Sequence, residues 1–345
     1  MEFLSEYGMF LLKAVTIVVA ILFAVGGVVS LASKQKQEKG ELDISSISDK
    51  LQDLEYKAKA MVFGKEEFKA WEKEQKKLEK ARAKEAKNAD KDAAHKKKLF
   101  VLDFKGSMDA KEVDSLREEI TAILTIAKDE DEVLLRLESP GGAVHGYGLA
   151  ASQLARIKKR GLKLTVAVDK VAASGGYMMA CVADKIVSAP FAYIGSIGVI
   201  AQMPNFNKVL KNNNIEWEQH TAGEFKRTLT VFGENTDEAR EKFKAELEEI
   251  HHFFKTHIQE FRPELDIDSV ATGEHWIGKK AHELNLVDDI QTSDDYLLSQ
   301  AKDLEIFAVK FRPKKKLADK LAEAASMSVK NTLADLARWR DSAFH

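Results

Sequence analysis

Two glycine-bounded loops carry the residues best suited to chemistry. In Ala172-Ala173-Ser174-Gly175-Gly176 a serine sits at a strand-to-helix turn between residues with little or no side chain. That is the steric requirement for exposing a nucleophile on a tight elbow, as in the related G-x-S-x-G pattern. The Gly175 N–H then points from a helix N-terminus, where the dipole favours a developing oxyanion. Ser139-Pro140-Gly141-Gly142 follows the preceding strand and supplies a second donor, from Gly141 or Gly142. Either loop alone is as well explained by close packing; the two together, each directly after a buried strand, imply an acyl-transfer site. A serine also needs a base. Candidates are His145, His220, or a lysine made neutral by burial: Lys170, Lys185 or Lys226. Spacing does not choose among them.

The elements that must position these loops read as α/β. Leu99–Phe104 is a buried strand, followed by a helix over about 109–128 with Val113, Leu116, Ile120, Ile123, Leu124 and Ala127 on one face. Val133–Leu137 and Leu164–Val168 are further strands, separated by a helix near Gly146–Lys159. A short apolar helix runs to Ala183, then a strand at Lys185–Ser188, a glycine-rich stretch over 193–199 and a long helix over about 237–261. Such alternation implies βαβ units and a mostly parallel sheet, with sites beyond the carboxyl ends of strands.

Composition narrows the classes further. The 345 residues carry 53 Lys+Arg against 55 Asp+Glu, a net −2 that argues against a nucleic-acid partner. One cysteine, Cys181, excludes a disulfide framework, and its apolar helix makes it a packed core thiol. The averages hide segregation. Residues 14–32 hold no charge over nineteen positions, close to the length that crosses a bilayer core, and Phe10, Leu11 and Leu12 add apolar residues on the far side of Lys13. A cleaved signal peptide is the rival, with Ser30-Leu31-Ala32 as a cleavage site, but Glu2 and Glu6 in the leader and the length of the run favour a retained anchor. From Lys65 to Lys98, 13 Lys/Arg and 8 Asp/Glu with no Gly or Pro predict a solvated helix. The organisation expected is an anchor over 1–33, a charged and largely helical arm over 34–98, a catalytic domain over 99–312 and a basic, amphipathic C-terminal helix over 313–345.

Four motifs in order, Ser139-Pro-Gly-Gly142, Ala173-Ser-Gly-Gly-Tyr177, Ile194-Gly-Ser-Ile-Gly-Val199 and Gly223-Glu-Phe-Lys226, resemble the signal peptide peptidase A family of serine proteases, peptidase family S49. The resemblance covers nearly the whole chain. It implies a ClpP/crotonase-like fold built from repeated β-β-α units. It also implies a Ser-Lys dyad of Ser174 with Lys226, 52 residues on, and Ser196 as the residue orienting the lysine. Gly141, Gly142 and Gly175 match the oxyanion hole. No metal or cofactor is implied. The expected partners are peptides such as signal-peptide remnants, the lipid bilayer through residues 10–32, and further copies of the chain. The resemblance places the catalytic domain outside the cytoplasm on the inner membrane, against the weak opposite bias of Lys34, Lys36 and Lys39. Two other classes share the fold or the span: a crotonase-like acyl-CoA enzyme, which needs neither Ser174 nor an anchor, and a non-catalytic membrane scaffold. His251, His252 and His257 lack the His-Glu-x-x-His pattern of a metal helix.

Overall fold

The computed structural model describes Thr16 and residues 40–88, 97–223 and 225–314. The chain divides into two compact units, Met1–Glu41 with Arg312–His345, and Leu42–Phe311. Of the first unit only Thr16, Gly40, Glu41 and residues 312–314 are described; Gly40 and Glu41 begin one strand, and Arg312 and Pro313 end another. The second unit holds the fold.

Its elements are, in order, β1 (Gly40–Ser46), α1 (Ile47–Val62), α2 (Lys65–Asn88), β2 (Lys98–Lys105), α3 (Val113–Ile126), β3 (Glu132–Glu138), α4 (Val144–Lys159), β4 (Lys163–Val168), β5 (Val171–Ala173), α5 (Gly175–Ala180), β6 (Lys185–Ser188), β7 (Tyr193–Gly195), α6 (Asn207–Asn212), α7 (Asp237–Phe261), α8 (Ile267–Val270), β8 (His275–Ile277), α9 (Gly278–Glu283), β9 (Asp289–Ile290), α10 (Ser293–Gln300) and β10 (Glu305–Pro313). Seven strands form one sheet in the order β1-β10-β2-β3-β4-β6-β9. The pairings from β10 through to β9 are all parallel. In a second sheet, β5-β7-β8, β5 and β7 run parallel and β8 antiparallel; the Ser174 loop follows its β5, while the Ser139–Gly142 loop follows β3 of the first sheet and reaches the second through a Ser139–Ala172 bridge.

The central strands read as continuous apolar runs because both faces of a parallel sheet are covered. Side chains alternate between those faces. Phe100, Leu102 and Phe104 of β2 join Leu135 of β3 and Val166 of β4 in the larger core, under α3, α4 and α5. Leu99 and Val101 point the other way, to Leu134, Ala167 and Val187, where Tyr296 and Leu297 of α10 and Ile47 of α1 close the layer.

The stretch expected as a charged arm is therefore more than a tether. Residues 40–46 form an edge strand beside β10, since Leu42 and Ile44 alternate with polar residues, and the Ser48 hydroxyl of α1 accepts the Ile306 N–H at 2.9 Å. Ser46 caps α1 by accepting the Asp49 N–H at 3.0 Å. Tyr56, Phe68 and Trp71 cluster across the α1–α2 hairpin, with Lys59 Nζ 4.5 Å from the Trp71 ring. Among the described residues no helix is long and apolar enough to cross a membrane. The anchor expected over 1–33 lies outside them apart from Thr16, as do residues 315–345 of the expected C-terminal helix.

One buried carboxyl ties the last strand to the body. Glu119 of α3 is 4% exposed and accepts the Phe311 N–H of β10 at 2.8 Å. Burial pushes it up from 4.5 to about 7; Asp103 adds to the rise, while the Phe311 N–H and Lys310 oppose it. The folded chain thus keeps a proton that the unfolded chain releases near pH 4.5. Stability accordingly falls as pH rises from about 4.5 to about 7, by roughly 3 kcal/mol in all. Glu119→Gln keeps an acceptor without the charge, so its melting temperature should exceed the parent's by several degrees at pH 8 and match it at pH 5. A gap of equal size at both pH values in a thermal-melt series would contradict this.

Candidate functional site

Ser174 stands between β5 and α5 with φ +51° and ψ −119°, a conformation that costs a non-glycine residue on the order of 1–3 kcal/mol. The backbone around it over-determines that shape. Its N–H donates to the Gly195 carbonyl of β7 at 2.8 Å, and its carbonyl accepts the Met178 N–H at 3.0 Å. One residue earlier, Ala173 N–H donates to the Ser139 carbonyl at 3.0 Å, and Ser139 N–H donates to Val171 O at 2.8 Å, so the two glycine-bounded loops are stitched together.

Ser139 is fully buried and organises the second loop. Its Oγ accepts the Gly141 N–H at 3.1 Å and lies 2.6 Å from the Tyr147 hydroxyl, which itself donates to Ser107 O at 2.9 Å. Burial pushes the Tyr147 hydroxyl up, so it remains a neutral donor. Gly141 (φ +88°) has to be glycine for space as well as conformation: a Cβ there would lie 2.7 Å from both the Ala173 oxygen and the Ser174 Cβ. Gly175 packs on the Tyr147 ring just as tightly. Gly141 thus spends its N–H on Ser139. Gly142 and Gly175 keep theirs: among the described residues neither N–H has an acceptor. Gly175 is the first residue of its helix, where an N–H has no partner within the helix. Both glycines line, with Ser174, a cavity of about 70 Å³.

Ser196 is close by. It is half-buried at φ +50°, directly follows the Gly195 that receives the Ser174 N–H, and donates its own N–H to Glu274 O at 2.6 Å. Lys226 is not part of this cluster. It is exposed, in the irregular segment between α6 and α7, and its N–H donates to Gly223 O at 3.2 Å. It lines a groove of about 810 Å³ with Met203, Phe225, Arg227 and Lys244, and that groove shares no residue with the Ser174 cavity. The rival bases are placed no better. His145 and His220 are exposed, the latter 3.5 Å from Glu218. Lys170 pairs with Glu138 at 3.1 Å, and Lys185 with Asp289 at 3.1 Å. The hydrogen bonds from Lys170 and Lys105 hold Glu138 below the usual carboxylate range, and that from Lys185 does the same for Asp289.

A half-buried serine on a strained elbow, lining a cavity with two unspent N–H groups beside it, suits attack on a carbonyl and stabilisation of the resulting oxyanion. Comparison with known proteins points the same way. The profile described as peptidase family S49 N-terminal matches residues 2–154, and that of peptidase family S49 matches residues 156–306. The chain belongs to peptidase family S49. A curated relative, the Probable protease SohB of Haemophilus influenzae, is 51% identical over 341 residues, 96% of each chain. The protein of the same name from Buchnera aphidicola subsp. Schlechtendalia chinensis is 50% identical over 305 residues, 87% of this chain and 100% of that one. A third, from Buchnera aphidicola subsp. Acyrthosiphon pisum, is 58% identical over 239 residues, 69% of this chain and 71% of its own. This S49 chain is accordingly a serine-type protease.

Several residues that shape the candidate site escape sequence reading. Tyr147, Val144 and Met178 sit on helices whose motifs single out only the loops before them. Ile250 and Phe254 of α7 reach the Ser174 cavity from more than seventy residues away. Their i,i+4 spacing with Ile258 is visible as a helix stripe, which tells nothing of what it covers. The far end of α7 is fixed by Arg262, which holds Asp288 by two hydrogen bonds of 2.8 and 2.7 Å. Burial pushes the Asp288 carboxyl up, but the Arg262 guanidinium and the Ile186 N–H outweigh it and hold it below the usual range. Cys181 is a core thiol: it is buried, it donates to Met178 O at 3.3 Å, and burial pushes its pKa far up. Among the described residues no group of His, Cys, Asp and Glu could hold a metal ion.

Proposed function

We propose that this S49 protease hydrolyses peptide bonds through an acyl-enzyme on Ser174, with Lys226 as the general base. The strained elbow with its two unspent N–H groups carries the reading. Ser174 Oγ attacks the scissile carbonyl carbon and its proton passes to the Lys226 amine. The tetrahedral oxyanion accepts hydrogen bonds from the Gly142 and Gly175 N–H groups. Collapse breaks the C–N bond, and the lysine ammonium returns the proton to the leaving amine. Water, deprotonated by the same lysine, then hydrolyses the ester. Ser196 orients the lysine, and Gly141 keeps the loop against the nucleophile. The framework belongs to the ClpP/crotonase-like folds.

A lysine acts as a base only as the free amine, which burial favours, and Lys226 is exposed in the single chain. Its surroundings supply a reason for assembly. Ile200, Met203, Phe206, Trp217 and Phe225 are all exposed within one segment, an apolar surface that a further copy of the chain would cover. The reading is thus of a homo-oligomer, anchored in the inner membrane through residues 10–32, with its catalytic domain periplasmic. There it cleaves signal-peptide remnants or similar small membrane-proximal peptides. Treating the full chain in mild detergent with a fluorophosphonate should give one covalent adduct per chain, at Ser174 by peptide mass mapping. A chain that stays unmodified, or is modified elsewhere, would overturn the reading.

A further inference from the structure

The cavity at Ser174 has a size and lining that restrict what it can accept. Its walls are Val144 from the start of α4, Met178 one turn into α5, and Ile250 and Phe254 from α7; the 198–200 segment completes the rim. Apart from the Ser174 hydroxyl, no wall side chain carries a polar atom able to hydrogen-bond, so a charged or amide side chain entering it would lose its water without compensation. Phe254 is 3% exposed and belongs to the main core, which makes it a fixed floor. Volume then sets the limit. An apolar protein cavity of about 150 Å³ holds a benzene molecule, roughly 25 Å³ per carbon. The present cavity of about 70 Å³ accommodates on the order of three carbons on that scale.

We infer that this cavity binds the side chain on the acyl side of the scissile bond, and that Phe254 and Ile250 make the protease selective for small aliphatic residues there. The inference rests on the acyl-enzyme reading given above. With the scissile carbonyl oxygen between the Gly142 and Gly175 N–H groups and its carbon at Ser174 Oγ, the α-carbon on the acyl side is one bond away. Its side chain is then the substrate group nearest the cavity that Ser174, Gly142 and Gly175 all line. Alanine and valine fit, leucine is at the limit, and phenylalanine requires a wall to move. The selecting residues come from α7, far in sequence from every motif loop. Specificity is therefore set by an element that does not belong to the catalytic elbow.

The test uses the full chain in mild detergent and four peptides that differ only in the residue before the scissile bond: Ala, Val, Leu and Phe. Hydrophobic pockets discriminate by about 10–200-fold, so kcat/KM for the Ala peptide should exceed that for the Phe peptide by a factor in this range. Phe254→Ala should narrow or invert the ratio by at least tenfold. Because Phe254 also supports the core, Ile250→Ala, at the half-buried rim, serves as the second variant and should relax selectivity toward Leu. In both variants, fluorophosphonate labelling of Ser174 should persist. Equal rates on all four peptides in the parent would overturn the inference, as would selectivity unchanged in variants that still label. Failure of the parent to label at Ser174 is a different result: it removes the acyl-enzyme itself, and the inference with it.

Discussion

Replacing Ser174 by alanine is expected to lower kcat/KM for peptide cleavage by on the order of 10⁴-fold or more, the scale on which nucleophile loss acts in serine proteases. The remaining rate would come from the Gly142 and Gly175 donors and from substrate binding, neither of which the substitution removes. The fold should survive. Among the described residues the Ser174 side chain has no hydrogen-bond partner, while its backbone N–H and carbonyl, which do hold the elbow, are unchanged in alanine. Alanine at φ +51° carries the same strain as serine; glycine does not. Ser174→Gly should therefore be as inactive as Ser174→Ala but more stable by about 1 kcal/mol, read as a higher melting temperature. Inactive alanine and glycine variants of equal stability would mean that the positive φ stores no strain. An alanine variant with full activity would remove Ser174 from the chemistry.

The same strain shows what the sequence could and could not disclose. Residues 172–176 are small because the elbow is crowded, and crowding follows from composition at one place in the chain. The parallel strands were legible too, since burial on both faces leaves uninterrupted apolar runs such as Leu99–Leu102. The long helix over about 237–261 was legible, and in the structure Thr236 caps its start. What sequence pattern missed is set by distance along the chain. Residues 40–46 and 305–313 pair as neighbours at one side of the sheet, across more than 250 positions; the first is only weakly apolar, and the Ile306–Val309 run of the second carries no sign of which strand it lies beside. The walls of the Ser174 cavity are of the same kind. The division of labour among the loop glycines is another case: Gly141 and Gly142 look equivalent as letters, and only the Ser139 hydroxyl distinguishes them by taking the N–H of the first.

Lys226→Ala is expected to cost on the order of 10²–10⁴-fold in kcat/KM, the range that general-base catalysis supplies, while leaving the structure of the single chain undisturbed because Lys226 is exposed. The position of the lysine makes a sharper outcome available. In one chain it lines a groove separate from the Ser174 cavity, so either the 201–235 segment folds over onto its own elbow or it reaches the elbow of a neighbouring copy. The two routes differ in a mixing experiment. Ser174→Ala and Lys226→Ala chains, each inactive alone, are co-assembled at equal amounts. If the base is donated between copies, mixed assemblies contain sites that pair an intact Ser174 with an intact Lys226, and activity should return to roughly a quarter of the parent's under random mixing of the two chains. If each chain completes its own site, every site lacks one partner and the mixture stays inactive. Lys226→Arg should not rescue either arrangement, because a guanidinium does not give up its proton in a protein. Activity retained in Lys226→Ala alone would return the role of base to His145 or Lys170 and detach the exposed apolar segment from catalysis.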